Sequence, residues 1–242
     1  MAVKRIQSAA RVLTALEGIA RHQPIGVSAL ARLLGDDKSA VQRAIMTLAD
    51  EGWIRASPGT PVKWELTAHI HAVAHMGHGS NNLRQRARPA LRALRDEFDE
   101  TVLLTVPDVR RLVLIEVVES NQTLRYVAPI GATIDARDSA AGRAILPYMS
   151  SDRQAEFLGG LPDAELLEDF AATLERGYSI SAGLLSPELT NIAAAIREVD
   201  GQPAAAVVLS GPAARITPDR YAGIGARVSQ TAQSLSHGPG PQ

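Results

Sequence analysis

The chain has 242 residues, of which 45% are hydrophobic and 21% charged, and it contains no cysteine. Such a composition supports a substantial hydrophobic core, and the length suits one or two domains. The absence of cysteine excludes a disulfide framework, a cysteine-ligated zinc finger and a thiol nucleophile. No apolar run approaches the ~18 residues of a membrane-spanning helix, and the basic start lacks a signal-peptide core. We therefore expect a cytoplasmic protein that has no contact with a membrane.

The net charge of −1 hides a difference between the two parts of the chain. Residues 1–80 contain nine Lys and Arg against six Asp and Glu, whereas residues 81–242 contain sixteen against twenty. A slightly basic N-terminal part on a more acidic part is compatible with a DNA-reading module joined to a sensing module. Random variation of surface charge is the alternative explanation of so small a difference.

The pattern over residues 1–67 predicts three short helices followed by a β-hairpin. We expect Ser28 to cap the second helix and Asp36 or Asp37 to cap the third, because short polar side chains bind the free N–H groups of a first turn. The strand-like stretches of the hairpin are 53–57 and 62–66. This order of elements is typical of a winged helix-turn-helix domain.

A linker helix at 68–80 and an α+β domain over 81–238 are predicted for the rest of the chain. A basic helix, 82–98, contains Pro89, where we expect a kink or a break. Strands come first, then helices, then strands again, and this order indicates an α+β sheet domain. The predicted strands are 102–106, 112–118, 124–127, 178–181, 192–198 and 204–210, and the predicted helices are 139–149, 151–159, 163–176 and 218–235.

The third predicted helix has an apolar face and a hydrogen-bonding face. At 100° per residue, one side collects the apolar residues Val41, Ala44, Ile45 and Leu48, which would pack on the first two helices. The opposite side is polar. A helix in the major groove of DNA needs such an apolar back and polar front. A plain solvated face is the alternative.

The polar face of this helix predicts specific contacts with DNA. Arg43 can bind guanine with two hydrogen bonds, Gln42 can pair with adenine, and Met46 can contact a thymine methyl group. Lys38 and Ser39, at the helix start, suit phosphate oxygens.

Two further cations would lie on the wing. Arg55 and Lys63 could touch the DNA backbone or the minor groove, although ordinary strand-surface charge is an equally good explanation.

From about Ile6 to Leu235 the chain resembles the isocitrate-lyase-regulator (IclR) family of bacterial transcription factors. The resemblance depends on the order and spacing of short stretches. In the first domain these are I-Q-S-A-A-R-V-L from Ile6, V-S-A-L-A from Val27 and D-K-S-A-V-Q-R-A-I-M-T-L-A-D-E-G-W-I from Asp37. In the second they are R-Y-V-A-P-I-G from Arg125, S-A-A-G-R-A-I-L from Ser139, R-G-Y-S-I from Arg176 and V-L-S-G-P-A-A-R from Val208.

The resemblance implies a winged-helix domain, a linker helix and an effector domain with a GAF/profilin-like antiparallel sheet. It also implies a homodimer or tetramer that binds double-stranded operator DNA and responds to a small metabolite. We expect no cofactor and no resident metal.

An effector pocket beside the sheet, under a loop that closes over it, is also implied by the resemblance. The matching positions are Ile134, Ala140 and Ala141 on one wall and Ser181, Asn191, Val208 and Ser210 on the other. Small residues at the start of the helix at 140 would let backbone N–H groups approach an anionic ligand head.

This chain departs from better-known members of the family in the pocket. They often have an acidic residue where Ser181 stands, a cysteine where Asn191 stands and a serine where Val208 stands. We therefore expect a larger aromatic or amide-bearing effector rather than a small glyoxylate-like acid. Alternatively, Ala140, Ala141 and Val208 are only packing residues.

The sequence gives little support to two other functions, metal binding and catalysis. The histidines His69, His71, His75 and His78 include three at metal-ligand spacing on one helix face, but no carboxylate lies between Thr67 and Asp96 to complete a site. The effector domain contains no G-x-S-x-G elbow, no phosphate-binding loop and no histidine between His78 and His237, so we predict that the protein is not an enzyme.

The sequence therefore predicts a ligand-responsive transcriptional regulator, a repressor of a catabolic operon, that reads DNA with residues 38–46. The alternative is a ligand-binding or enzymatic protein whose winged helix serves protein interaction.

Overall fold

The structure is a computed structural model that describes residues 6–76 and 80–236, with the side chains of 74–76 and 80–82 outside the description. The chain divides into two compact units, 1–78 and 79–242. Each unit has a hydrophobic core of its own.

The described residues of the first unit form four helices and a two-stranded hairpin. The elements are α1 (Gln7–His22), α2 (Val27–Leu34), α3 (Lys38–Asp50), β1 (Ile54–Ser57), β2 (Lys63–Leu66) and α4 (His69–Met76). An isolated antiparallel bridge joins Ile25, just before α2, to Trp64 of β2 and so ties the wing to the helices. The predicted winged helix-turn-helix is confirmed.

The caps of the first unit agree with the sequence at one helix and differ at another. Asp37 caps α3, and its side chain accepts hydrogen bonds from two backbone N–H groups of the first turn at 2.9 and 3.0 Å. The predicted cap Ser28 is wrong, because α2 already begins at Val27 and no side chain caps it. Ser28 is therefore part of the first turn of α2.

A six-stranded antiparallel sheet is the centre of the second unit. Its strands are β3 (Thr101–Asp108), β4 (Arg111–Val118), β5 (Thr133–Ile134), β6 (Ser179–Ala182), β7 (Leu189–Arg197) and β8 (Pro203–Pro212), in the order β5-β4-β3-β8-β7-β6. Its helices are α5 (Ser80–Phe98), α6 (Ala140–Ile145), α7 (Ser151–Leu158), α8 (Ala164–Arg176) and α9 (Tyr221–Ser236), with 3₁₀ turns at Leu146–Tyr148 and Pro218–Arg220. The α+β class is confirmed.

Both faces of this sheet are covered, because successive side chains along a strand point to opposite faces. Val102 and Leu104 of β3 join the core that includes residues of α5 and α9. Leu103, between them, joins a second core with residues of α6, α7 and α8. Val208 of β8 belongs to this second core. The predicted effector residues thus lie on the α6 side of the sheet.

The predicted strand at 124–127 is wrong. The backbone carbonyls of Leu124 and Tyr126 accept hydrogen bonds from the side chains of Arg215 and Thr101 instead of from a neighbouring strand. The edge strand β5 comes later in the chain and consists of two residues that pair with β4.

Pro89 does not interrupt α5, which runs as one helix from Ser80 to Phe98. Pro89 is exposed, so the carbonyl that loses its N–H partner can be hydrated. The stripe on the opposite face is buried in the core and keeps the helix in place; its residues are Leu83, Ala87, Leu91 and Leu94.

Candidate DNA-binding surface and effector site

Helix α3 buries one face and exposes the other. The apolar set Val41, Ala44, Ile45 and Leu48 is at most 4% exposed. All five residues that the sequence predicts to contact DNA from this helix are exposed, namely Lys38, Ser39, Gln42, Arg43 and Met46. The helix therefore has the amphipathic form that major-groove binding requires.

A short chain of hydrogen bonds orders the start of α3. The Ser39 hydroxyl donates to Asp37 Oδ1 at 2.5 Å and accepts a hydrogen bond from Arg43 Nη1 at 3.3 Å. The Ser39 hydroxyl, and after it the backbone N–H of Ala40, holds the pKa of the Asp37 carboxyl below its usual range. The remaining donors of Arg43 have no partner among the described residues and are available for a base.

The two wing cations differ in their surroundings. Arg55 Nε donates to Glu65 Oε1 across the hairpin at 2.9 Å, so part of its charge is neutralised. Lys63 is exposed, and its register partner on β1 is the neutral residue Ser57. Of these two side chains, Lys63 is the better placed for a phosphate.

Sequence reasoning missed a cationic depression between α2 and α3. It has a volume of about 430 Å³ and is lined by Ser28, Ala31, Arg32, Gly35, Asp36 and Lys38. Asp36 is neutralised by Arg11, whose Nε donates to it at 2.5 Å, so Arg32 and Lys38 dominate the charge. The spacing of Ser28 and Arg32, four residues apart on one helix face, was the signal that could have identified it.

A row of polar side chains crosses the α6 face of the sheet in the second unit. Ser181 pairs in register with Asn191, Asn191 with Ser210, and Ser210 with Thr101. These residues are at most 4% exposed. Because cross-strand partners lie on the same face, the register brings together four polar groups that are distant in sequence.

Three members of this row have a buried polar atom without a hydrogen-bond partner among the described residues. These atoms are Ser181 Oγ, Asn191 Nδ2 and Ser210 Oγ. A buried polar group without a partner is costly, and in a native structure it needs a ligand or a water molecule. We call Ser181, Asn191 and Ser210 the polar row.

The start of α6 lies against the neighbouring residues of the sheet. Ala140 and Ala141 are at most 2% exposed, and the hydroxyl of Ser179 donates to the Ala140 carbonyl at 2.6 Å. Ser139 caps the helix by accepting the Gly142 N–H at 3.1 Å. A Cβ on Gly142 would lie 1.9 Å from the carbonyl oxygen of residue 136, so only glycine permits this close approach.

The other two predicted pocket residues are apolar. Val208 lies two residues before Ser210 on β8, on the same face of the sheet, and its register partners are Ala193 and Leu103. Ile134 lies in β5, at the far edge of the sheet, and packs against the same core. The structure thus brings Ser181, Asn191, Val208 and Ser210 onto one surface and leaves Ile134 at its edge.

The described residues contain no group of three or more His, Asp or Glu side chains that could hold a metal ion. His69 stacks edge-on against Trp53, with ring centroids 4.5 Å apart. The side chain of His75 and the whole of His78 lie outside the described residues, so the predicted histidine face remains an expectation. In the described part of the chain, no helix combines the length and the apolar character needed to cross a membrane.

A winged helix-turn-helix joined to a sheet domain with an unsatisfied polar row defines a class, that of DNA-binding regulators with a sensing domain. Residues 8–58 match the family model of the IclR helix-turn-helix domain, and residues 71–237 match that of the bacterial transcriptional regulator IclR C-terminal domain. The chain belongs to the IclR family of bacterial transcriptional regulators.

Individual relatives match over nearly the full length. The transcriptional repressor IclR of Escherichia coli K12 is 32% identical over 97% of this chain and 90% of its own length. The acetate operon repressor of Salmonella typhimurium is 31% identical over 96% of this chain and 89% of its own length. An IclR homologue from Microbacterium hydrocarbonoxydans, solved in complex with 4-hydroxybenzoate, has the same fold, with a TM-score of 0.77, 19% identity and coverage of 95% and 98% of the two chains.

Proposed function

We propose that the protein is a repressor that leaves its operator DNA when an aromatic acid or amide binds at the polar row. Membership of the family makes it a DNA-binding regulator, and the two relatives above are named as repressors. The observation that supports the effector site is the row of three buried polar side chains without partners.

The chemistry of the polar row favours a ligand with polar groups at its ends. Ser181, Asn191 and Ser210 lie on three adjacent strands, and strands are ~4.8 Å apart, so the row spans about 10 Å. That length is comparable with a single ring that has a polar substituent at each end. An amide can donate and accept, and a hydroxyl can do both, so the row suits a phenol, an amide or a carboxylate.

Apolar residues beside the row favour a ring over a two-carbon acid. Val208 and Leu103 are register partners that lie beside the row on the same face, and they provide an apolar surface. The row itself contains no ionised side chain. A two-carbon acid such as glyoxylate buries almost no apolar surface, so nothing would offset the lost hydration of its carboxylate in a row without a counter-charge, whereas the burial of a ring would. The 4-hydroxybenzoate complex of the Microbacterium hydrocarbonoxydans homologue is consistent with this chemistry.

On the DNA side, we propose that Arg43, Gln42 and Met46 read bases and that Ser39 and Lys38 hold phosphates. Arg32, in the cationic depression, adds a third phosphate contact. It lies in α2, the first helix of the helix-turn-helix motif, which crosses the DNA backbone in such motifs. Lys63 of the wing is a further contact with the backbone, and Arg55, paired with Glu65, is a weaker one.

The regulatory mechanism that we propose is a population shift in an oligomer. In a homodimer or tetramer, two winged-helix domains must match the spacing of two half-sites. An effector that binds more tightly to one spacing shifts the population towards it. We expect the protein to act in the cytoplasm, without cofactor and without enzymatic turnover.

Calorimetry with a panel of 4-hydroxybenzoate, benzamide and glyoxylate tests the effector site. We expect an aromatic compound to bind and glyoxylate not to bind. Asn191→Ala should weaken that binding by ~1–3 kcal/mol, because it leaves a ligand group unpaired. Thr190→Val is the matched control, since the Thr190 hydroxyl is also buried and has no partner in the described part of the chain, but Thr190 precedes Asn191 and lies on the opposite face of the sheet. Tight binding of glyoxylate with no aromatic compound bound would contradict the proposal.

A further inference from the structure

The segment 119–126, which we call the strap, joins β4 to the loop before β5 and has no strand partner. Side chains from three places hold it instead: from β3, from the end of α5 and from the segment after β8. Thr101 Oγ1 accepts a hydrogen bond from the Ser120 N–H at 3.2 Å and donates to the Tyr126 carbonyl at 2.9 Å. Thr101 is the register partner of Ser210. Both ends of the strap are therefore bound to the strand position next to the polar row.

Asp99, between α5 and β3, holds the same segment from the other side. Its Oδ1 accepts the Asn121 N–H at 3.0 Å, its Oδ2 accepts Gln122 Nε2 at 2.7 Å, and its carbonyl accepts the Ser120 hydroxyl at 2.6 Å. Arg95 of α5 donates to the carbonyl of residue 119 at 2.8 Å. Asp99 and Arg95, at the end of α5, thus bind four consecutive residues of the strap, 119–122.

The conformation of Asp99 shows that this arrangement is specific. Its φ is +48°, a left-handed value that residues other than glycine, asparagine and aspartate rarely adopt. The backbone N–H of Asn121, and after it the side chains of Gln122 and Ser120, hold the pKa of the Asp99 carboxyl below its usual range. The carboxylate is therefore charged at neutral pH, and it accepts the hydrogen bonds of the Asn121 N–H and of Gln122 Nε2.

A third anchor fixes the middle of the strap. Arg215 Nη2 donates to the Leu124 carbonyl at 2.9 Å and to Glu100 Oε2 at 2.7 Å. Glu100 is only 3% exposed. A Cβ on Gly211 would lie 2.5 Å from the Glu100 carboxylate, so Gly211 leaves the space that the ion pair of Glu100 and Arg215 occupies.

We infer that Thr101 and Asp99 are positioning residues that couple the polar row to the end of helix α5 through the strap. Ser120 contacts both, since its N–H is bound by Thr101 and its hydroxyl by the Asp99 carbonyl. A ligand group that competes for the Thr101 hydroxyl would loosen Ser120 and, with it, the bonds to Asp99. Helix α5 is the first helix of the second unit and comes directly after the DNA-binding unit in chain order.

This inference rests on the proposed effector site only for the nature of the signal; the coupling itself is a property of the ligand-free chain. It is tested by amide hydrogen exchange of the full-length protein without any added compound. Thr101→Val removes the hydroxyl and keeps the shape. We expect the Asn121 amide, which is bound by Asp99 and not by Thr101, to exchange about two- to tenfold faster, as the loss of one or two hydrogen bonds would produce.

Thr105→Val is the matched control. Thr105 lies four residues along β3 on the same face, is fully buried, and its hydroxyl has no partner among the described residues. It should leave the exchange of Asn121 and of residues 95–99 unchanged. Equal exchange rates of Asn121 in the two threonine variants would overturn the inference.

The reverse experiment uses Asp99→Asn, which tolerates the left-handed backbone. It should accelerate exchange of the Ser120 amide, whose acceptor is Thr101, whereas Asp108→Asn at the other end of β3 should not. An unchanged Ser120 amide in Asp99→Asn would equally overturn the coupling. Because neither experiment contains an effector, failure of the calorimetric screen and failure of the coupling are distinguishable.

Discussion

Arg43 and Arg32 are both exposed cations of the helix-turn-helix, but they face different parts of the DNA in the proposed complex. Arg43 lies on the exposed face of α3, opposite its apolar face, and would reach base edges, whereas Arg32 lies in the depression that suits a phosphate. This difference gives the two side chains distinct signatures in binding experiments.

We expect Arg43→Ala to weaken binding to a selected operator by ~1–3 kcal/mol and to leave binding to scrambled DNA nearly unchanged, as the loss of a base contact does. Arg32→Ala should weaken binding to both duplexes alike. Fluorescence anisotropy with a duplex selected from a randomised pool measures both. Arg21→Ala, which removes an exposed cation of α1 paired with Glu17, is the control. Equal losses on both duplexes for Arg43→Ala would remove Arg43 from base readout.

The capping carboxylate of Asp37 predicts a pH dependence of stability. Its pKa is lowered in the folded state by the Ser39 hydroxyl and the Ala40 N–H, so the charged form stabilises the fold. This contribution is fully present above the unfolded value of about 3.9 and is lost as the pH falls through the lower folded pKa. Urea unfolding should show wild type more stable than Asp37→Asn at pH 7, with the difference closing below about pH 4. A difference that stays constant from pH 7 to pH 3 would contradict the assignment.

The family resemblance predicted part of the proposed effector site. Ser181, Asn191 and Ser210 were predicted from the family resemblance, but their common row depends on the register of three strands, which no local pattern reveals. Thr101 was missed for the same reason: only the pairing of β3 with β8 places it beside Ser210.

At the scale of elements, helices with a strong apolar period were predictable and segments held by side chains were not. Helix α3 was predicted because its apolar and polar residues alternate with the helical period and Asp37 caps it. A strand was predicted at 124–127, which includes the end of the strap, because Leu124, Tyr126 and Val127 fit the pattern of a strand. In the structure, the carbonyls of Leu124 and Tyr126 accept hydrogen bonds from the side chains of Arg215 and Thr101, which are remote in sequence.

Helix α9 offers a paired test of element packing. A Cβ on Gly225 would lie 2.3 Å from the ring of Tyr178, whereas a Cβ on Gly223 meets nothing within 4 Å. Gly225→Ala should therefore destabilise the second unit by ~1–3 kcal/mol through overpacking. Gly223→Ala should be neutral or stabilise it by up to ~1 kcal/mol, because alanine favours the helix. Thermal unfolding measures both, and equal melting temperatures for the two variants would contradict the packing of α9 against Tyr178.

At the scale of the whole molecule, the proposal needs an oligomer, and α4 is its expected interface. We expect the apolar residues of α4 to pair the subunits: Ile70 is half-buried and Val73 is 41% exposed, and the side chain of Ala74 lies outside the described residues. We expect light scattering at micromolar concentration to give a dimer or a tetramer.

Val73→Asp should lower this mass, because two-fold symmetry would bring the new charges of both subunits into one apolar interface. Ala72→Asp, an exposed neighbour on a different side of α4, should not. A wild-type monomer that binds a palindromic duplex tightly would contradict the assembly.

The central claim is that occupation of the polar row controls DNA binding. Its most direct test is the affinity for the selected duplex, measured with and without a saturating aromatic compound identified by calorimetry, in wild type, Asn191→Ala and Thr190→Val. The account predicts that the compound weakens DNA binding by at least about tenfold, the ~1.4 kcal/mol of a typical coupling energy, in wild type and Thr190→Val. In Asn191→Ala the same concentration should have a much smaller effect, while ligand-free affinity stays unchanged. An equal effect of the compound on all three proteins would show that it acts elsewhere and would contradict the account.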